Sequence, residues 1–361
     1  MATALGKDDH EMSEDGMSSR ETGNLREASV SRHAVVMRTY GLPDVLRVEP
    51  LPLPDLGPSE ILIRTLAAAV NRSDLEIRSG NWPIRRDPPL PYVPGLEVLG
   101  EVATVGNDVV AVNVGDRVFT AMQGLGGVRA LRDGGYADSV VVDADSVVVD
   151  ADSVAPVPDD IDPFEAAALG LGAVTADQGL ALLGELSGRR ITVTGAAGGV
   201  GSNAVAIAAA AGAEVVAVIH SRGADYVRSL GAAEVVSDPA QLEPRTLDGA
   251  LDLVGGAVFE PLVAALRDGG RYGLLGDVAG DRASFSLWEL MRGIALSGYS
   301  SETLDGPALR AAAARVFRLL SDGKLKPPGH ETLPLEDAAE AHARMEAGGV
   351  TGRLLLVPTV H

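Results

Sequence analysis

The stretch TGAAGGVGS, residues 194–202, constrains this chain more than any other. The β-branched run ITV leads into it, and the alanine-rich run NAVAIAAAA leaves it. A second apolar run, AEVVAVI, ends at residue 219. Strand, glycine turn, helix and second strand within residues 191–219 make one βαβ unit, the setting in which a glycine-rich motif carries chemical meaning. In GxGxxG register the three key positions are Ala196, Gly198 and Gly201, with alanine in place of the first glycine. Gly198 and Gly199 let the backbone approach a pyrophosphate, and Gly201 lets the helix pack closely on the sheet. The start of the helix offers free N–H groups and its positive dipole end to the anion. Ala197, Gly198, Gly199 and Val200 are therefore the candidate dinucleotide-binding residues. A tight βα turn that needs glycine only for left-handed backbone is the competing reading.

The end of the second strand bears on which dinucleotide is bound. A site for NAD places a carboxylate there, about 20 residues on, to bond the ribose 2′-hydroxyl. Here the strand runs into His220, Ser221 and Arg222, with no acid before Asp225. A carboxylate would repel a 2′-phosphate, whereas Ser221 and Arg222 can hydrogen-bond one, so the expected cofactor is NADPH. Nearly all of the 30 basic residues are arginines, so Arg222 also reads as an ordinary surface residue of an Arg-rich chain.

Two textures divide the 361 residues. From His33 to about Pro158, short β-type runs are bounded by Gly, Pro, Asn and Asp. From about Asp159 to Asp305, strand and helix patterns alternate, which implies a doubly wound parallel sheet. Two amphipathic helices and a closing strand, GRLLLVP, follow. Residues 1–32 are polar and aperiodic and lack the apolar segment of a secretory signal, so a disordered tail and a cytoplasmic protein are expected. The chain has no cysteine, which removes disulfides, thiolate nucleophiles and Cys-based zinc sites. A formal charge of −20 without a basic cluster argues against a nucleic-acid or anionic-membrane partner. Apolar runs stop well short of the roughly 18–20 residues of a membrane span.

Residues 140–146, VVVDADS, recur at once as residues 147–153. An odd repeat of seven would flip the side chains of a continued strand, so one copy must be taken up by a bulge, a loop or an extra hairpin.

AAGGVGS, SLGA at 229–232, LDLVGG at 251–256 and VPG at 93–95 together resemble the medium-chain dehydrogenase/reductase superfamily. Within it the chain resembles the zinc-free, quinone-oxidoreductase-like branch, which includes enoyl reductases. The likeness covers about residues 33–361. It implies a GroES-like substrate domain (33–158 with 306–361), a Rossmann domain (159–305) and an active site in the cleft between them. Zinc-containing relatives have cysteine at Asn71, histidine at Leu96 and cysteine at Leu171, so no metal is expected. Asn71 matches an asparagine that, in the zinc-free branch, approaches the nicotinamide ribose and the substrate; it also reads as an Asx-turn residue ending a strand. Many quinone reductases of the branch have tyrosine where this chain has Glu76. Thr175 and Arg353 match further cofactor-lining positions, although each also has a structural reading. IALSGYS, residues 294–300, matches the edge strand through which relatives form homodimers.

With neither metal nor histidine between His33 and His220, nothing evident polarises an unactivated carbonyl. A small-molecule substrate bringing its own electron sink, a conjugated C=C or a quinone, is expected, with Asn71, Ser73 and Arg72 as candidate donors to the developing oxyanion. A zinc-free carbonyl reductase or alcohol dehydrogenase, and an NADPH-binding protein without turnover, are the alternatives. The glycine-rich segment 121–139 is expected on the cleft rim, with Arg129, Arg132 and Tyr136 facing either substrate or solvent.

Overall fold

The computed structural model describes residues 31–82, 90–125, 132–143, 153–220 and 222–359. Six strands lie side by side in the order Ala232–Val236, Glu214–Val218, Arg190–Val193, Leu247–Asp252, Leu266–Leu274 and Ala295–Gly298. Each is parallel to its neighbours. In chain order this is 3-2-1-4-5-6, a Rossmann sheet whose direction of winding reverses between Arg190–Val193 and Leu247–Asp252. Both faces are dry. Along Glu214–Val218, Val215 and Ala217 enter one apolar cluster while Val216 and Val218 enter another. That is why the strand reads as an unbroken apolar run rather than an alternating one.

The second large sheet is mixed. Its path runs His330–Pro334, Arg353–Val357, Glu60–Ala69, Glu97–Val105, Arg117–Ala121 and Val154–Pro156, with Ser139–Asp143 also paired on Glu60–Ala69. The late strand Arg353–Val357 lies antiparallel to Glu60–Ala69, with Leu355 opposite Ala69. Val70 donates its N–H to Leu354 O at 2.9 Å. This pairing brings the C-terminal segment to the end of an early strand and sets Arg353 beside Asn71. The observed fold is thus the expected α/β arrangement of a Rossmann sheet with a separate GroES-like sheet.

Several expectations are corrected in detail. The first strand among the described residues is Ser31–Met37, which takes in two residues expected in the tail. Arg32 is buried there and pairs with Asp133; residues 1–30 lie outside the described residues. The run VFEPLVAALRDGG, residues 258–270, reads as a single helix, but the helix ends at Ala265. Leu266 pairs with Leu247, the register slips, and pairing resumes at Arg271. The first VVVDADS copy supplies most of Ser139–Asp143, and nearly all of the second lies outside the described residues.

One helix that the strand–helix alternation does not announce joins the two sheets. Pro163–Ala181 begins with Asp162 accepting the N–H groups of Phe164 and Glu165 at 2.9 and 3.1 Å, with proline at the first helical position. It breaks at Gly170, whose φ of 38° is a conformation that a side chain would strain. A Cβ there would stand 2.0 Å from Glu97 Oε2. Past the break, Gly172 packs so tightly on the glycine-turn helix that its Cβ would lie 2.7 Å from Gly199 O. No helix among the described residues is long and apolar enough to cross a membrane.

Candidate active site

The glycine turn stands at the carboxyl end of Arg190–Val193, at the reversal of the sheet, where open α/β sheets bind their ligands. The helix Gly199–Ala210 starts there with Gly198 at its N-cap and no side chain capping it. Gly198 is exposed, and Ala197, Gly199 and Val200 are half-buried, so the turn presents backbone rather than side chain. Gly201 has the packing role expected of it: its Cβ would fall 2.2 Å from Gly195 O. Gly199 is held bare by a side chain from the other sheet. A Cβ there would lie 2.5 Å from Nη1 of Arg353. Uncapped N–H groups and a guanidinium over one bare turn fit a pyrophosphate.

Arg353 also reaches in the other direction. Its Nη2 donates to Asn71 Oδ1 at 3.1 Å and forms a very short contact with Glu97 Oε1. Arg353 and Glu97 are both almost wholly buried, a paired charge taken out of water. Asn71 Nδ2 donates to Glu97 Oε1 at 2.8 Å and to Ala69 O at 3.3 Å. Arginine has only donors, so the amide oxygen must face Arg353 and the amide nitrogen must face the carboxylate. The remaining Glu97 oxygen accepts the N–H of Leu171, at the helix break, at 2.6 Å. Burial pushes the Glu97 carboxyl up, opposed first by the Arg353 charge and then by the Leu171 and Asn71 donors.

Asn71 stands two residues past the strand Glu60–Ala69 as N-cap of the helix Arg72–Ser79, and its side-chain bonds go to Ala69, Glu97 and Arg353. The turn is held by Asp74 instead. Asp74 accepts the Asn71 N–H at 2.9 Å, the Leu96 N–H at 3.1 Å and the Tyr136 hydroxyl at 3.1 Å. Burial raises Asp74 to about 7; the Asn71 N–H opposes this and the nearby Glu97 charge adds to it. Tyr136 continues to His342 Nε2 at 3.2 Å. His342 is pushed down to about 3 by burial and by the Arg78 charge, so it is neutral near pH 7.

The three positions where zinc-containing relatives carry ligands converge on Glu97. Asn71 and the Leu171 N–H bond it, and Leu96 precedes it in the chain. One amide and two aliphatic side chains supply no zinc ligand. Among the described residues there is no group of three or more His, Asp or Glu placed to hold a metal.

The fold therefore brings Asn71, Arg353 and the turn 197–200 together. Thr175 lies half-buried in the helix Pro163–Ala181, beyond its break at Gly170. Ser73 is half-buried beside Asn71. Arg72 is exposed and donates to Glu76 at 3.1 Å along its own helix, which turns it away from the buried cluster. Arg222 is exposed just past the second strand, Asp225 is fully exposed with its partner Arg228 on the following helix, and Ser221 lies outside the described residues. Tyr136 is corrected from rim to core, since it is fully buried against Asp74. Arg132 pairs with Glu60 at 3.1 Å, and Arg129 lies outside the described residues.

Glu97 and Asp74 are the members that sequence reasoning missed. Asp74 had a signal: Asn-x-x-Asp is the spacing of a capping box. Glu97 had a fainter one, a single acid in the otherwise apolar run VPGLEVLG.

Residues 57–158 match the alcohol dehydrogenase GroES-like domain, and residues 222–356 match a family described as zinc-binding dehydrogenase. Asn71, Leu96 and Leu171 all fall outside the second match. A 2-methylene-furan-3-one reductase of Solanum lycopersicum is 31% identical over 330 residues, covering 88% of this chain and 77% of that protein. A quinone oxidoreductase of Sus scrofa is 29% identical over 345 residues, covering 90% and 97%. Among solved structures, mycobacterial Rv1454c complexed with NADPH superimposes with a TM-score of 0.75 at 29% identity, covering 91% of this chain and 100% of that one. The chain belongs to the medium-chain dehydrogenase/reductase superfamily, in its quinone-oxidoreductase-like branch.

Proposed function

We propose that this oxidoreductase is a cytoplasmic, NADPH-dependent and zinc-independent enzyme that reduces an activated C=C or a quinone. The reading rests most on one juxtaposition: a bare glycine turn at the sheet reversal faces Arg353, and Arg353 in turn grips Asn71 and Glu97. The turn 197–200 with Arg353 would hold the pyrophosphate, Thr175 and Asn71 would line the nicotinamide half, and Ser221 with Arg222 would hold the 2′-phosphate. When bound, NADPH supplies a hydride. Kinship with a methylene-furanone reductase and a quinone oxidoreductase supports an acceptor that carries its own electron sink.

The protein's task is to stabilise charge on the acceptor oxygen. Asn71 is the first candidate, because a neutral amide suffers no repulsion from a cationic nicotinamide. Both its amide hydrogens already have protein acceptors. The 3.3 Å bond to Ala69 O is the weaker, so that hydrogen is the one it exchanges for the substrate. Ser73, whose hydroxyl has no hydrogen bond among the described residues, is the second donor. Arg72, committed to Glu76, is the weakest of the three.

In this reading residues 33–158 and 306–361 form the substrate domain and 159–305 the cofactor domain. The edge strand Ala295–Gly298 is exposed along its whole length, and Leu287, Trp288 and Met291 beside it are each more than 70% exposed. An open apolar edge is an aggregation liability unless another chain covers it, and a second copy pairing across a two-fold axis does so. A monomeric mass in solution at micromolar concentration would remove the dimer from the proposal.

The test of function is an initial-rate screen of chelator-treated protein with enones, quinones and simple aldehydes, using NADPH and then NADH. The proposal expects turnover with a conjugated acceptor, a preference for NADPH and no response to added zinc. A zinc-restored rate, or aldehydes outperforming every conjugated acceptor, would overturn it.

A further inference from the structure

At the reversal of the Rossmann sheet the two chain segments part to opposite faces, the glycine turn to one side and Leu253–Gly256 to the other. Directly below the parting they are tied. Thr194 Oγ1 donates to Asp252 Oδ1 at 2.7 Å and accepts the N–H of Leu253 at 2.8 Å. The same Asp252 oxygen accepts the N–H groups of Val254 and Gly255 at 2.9 and 3.1 Å, and Oδ2 accepts the Tyr272 hydroxyl at 2.5 Å. Thr194 and Asp252 are fully buried and Tyr272 nearly so, with its ring edge-on to Phe259 at 4.9 Å. Four donors therefore converge on one carboxylate, three from just past the ends of two neighbouring strands and one from within a third.

The tie reaches both walls of the crevice. On one side, the residue after Thr194 is Gly195, whose Cβ would rest 3.5 Å from Val254 Cγ2. On the other, the loop carrying Gly255 interlocks with the next carboxyl-end loop. Leu275 donates to Asp252 O and Ala279 to Val254 O, both at 2.8 Å. Gly255 has φ 66°, and a Cβ there would meet Gly276 O at 2.9 Å. Neither wall can shift without stretching the bonds to Asp252.

We infer that Thr194, Asp252 and Tyr272 are positioning residues for the dinucleotide, bracing the glycine turn against the loop Leu253–Gly256 and so fixing the width of the crevice. This rests on the proposed dinucleotide site. The hydroxyls of Thr194 and Tyr272 act through the two walls and not by contact with the cofactor. Removing either lets the walls move apart, which affects dinucleotide binding before it affects the acceptor side of the cleft.

The test is the dissociation constant of NADPH, and of NADH as a second probe, measured well below the melting temperature for wild type, Thr194→Val, Thr194→Ser and Tyr272→Phe. Thr194→Val keeps the shape and removes the hydroxyl; Thr194→Ser keeps the hydroxyl. The brace predicts that Thr194→Val and Tyr272→Phe each weaken dinucleotide binding by about tenfold, the loss expected for one buried hydrogen bond, while Thr194→Ser stays near wild type. Thr194→Val or Tyr272→Phe melting earlier yet binding NADPH like wild type would overturn it, and so would Thr194→Ser binding as poorly as Thr194→Val. If Thr194→Val does not fold, Tyr272→Phe carries the test alone, since it removes a single oxygen from a different strand. Wild type that binds neither dinucleotide would refute the cofactor reading and the brace with it. Wild type that binds, with variants that bind equally well, refutes the brace alone.

Discussion

The two walls of the cleft are built from opposite materials. The Rossmann wall offers backbone: an uncapped helix start and a turn from which side chains are excluded by 2.2–2.5 Å clashes at Gly201 and Gly199. The GroES-like wall offers buried side chains: Asn71, Glu97 and Arg353, hydrogen-bonded to one another. Backbone can cradle an anion but cannot be tuned residue by residue, whereas a side-chain cluster can be tuned and is costly to disturb. In the proposed reading, the cofactor's common part belongs to the first wall and the chemistry of the acceptor to the second. Arg353 is where the two meet.

Removing that meeting point should have the largest effect. Arg353→Ala leaves the Glu97 carboxylate buried without its cation, which costs about 3–5 kcal/mol of folding stability by the usual measure of broken buried pairs. Denaturant unfolding checks it, and a loss under about 1 kcal/mol would mean the pair is better solvated than its burial indicates. Asn71→Ala comes next and separates the walls. It should lower kcat by roughly 10²-fold, as for loss of an oxyanion donor, and leave NADPH affinity much less affected. Parallel losses in both would place Asn71 on the cofactor side of the divide. The smallest effect is expected at the exposed tip of the Rossmann wall. Arg222→Ala should weaken NADPH by about 1–3 kcal/mol, the worth of a charge-assisted phosphate contact, and leave NADH nearly unchanged. Equal losses for both dinucleotides would show that Arg222 does not read the 2′-phosphate.

The same contrast explains what could be read from the sequence. A backbone wall is written locally: Gly198, Gly199 and Gly201 stand together between a strand and a helix, and their spacing alone announces the turn. The alternation of strands and helices likewise announces a doubly wound parallel sheet. The side-chain wall is written in three distant places. Glu97 meets Arg353 across 256 residues and Leu171 across 74, and no periodicity links them. Only resemblance pointed to Asn71 and Arg353, and it left Glu97 looking like one acid in a strand. The helix break at Gly170 was hidden for a related reason. LGLG reads as part of any apolar segment, and only the fold shows Gly170 at positive φ with Glu97 filling the space a Cβ would need. The glycines around Tyr136 suggest a place on the rim, yet its ring packs on Gly95, where a Cβ would stand 2.5 Å from Cδ1, and its hydroxyl reaches Asp74 in the core.

The destination of the hydride tests the central claim most directly. Chelator-treated protein is given NADPH deuterated at the transferable position of nicotinamide C4, together with an enone, and the product is located by NMR. The account predicts deuterium on the carbon remote from the carbonyl, with the carbonyl intact and the same result without any added metal. Deuterium on a newly formed carbinol carbon, or product only after zinc is restored, would contradict it.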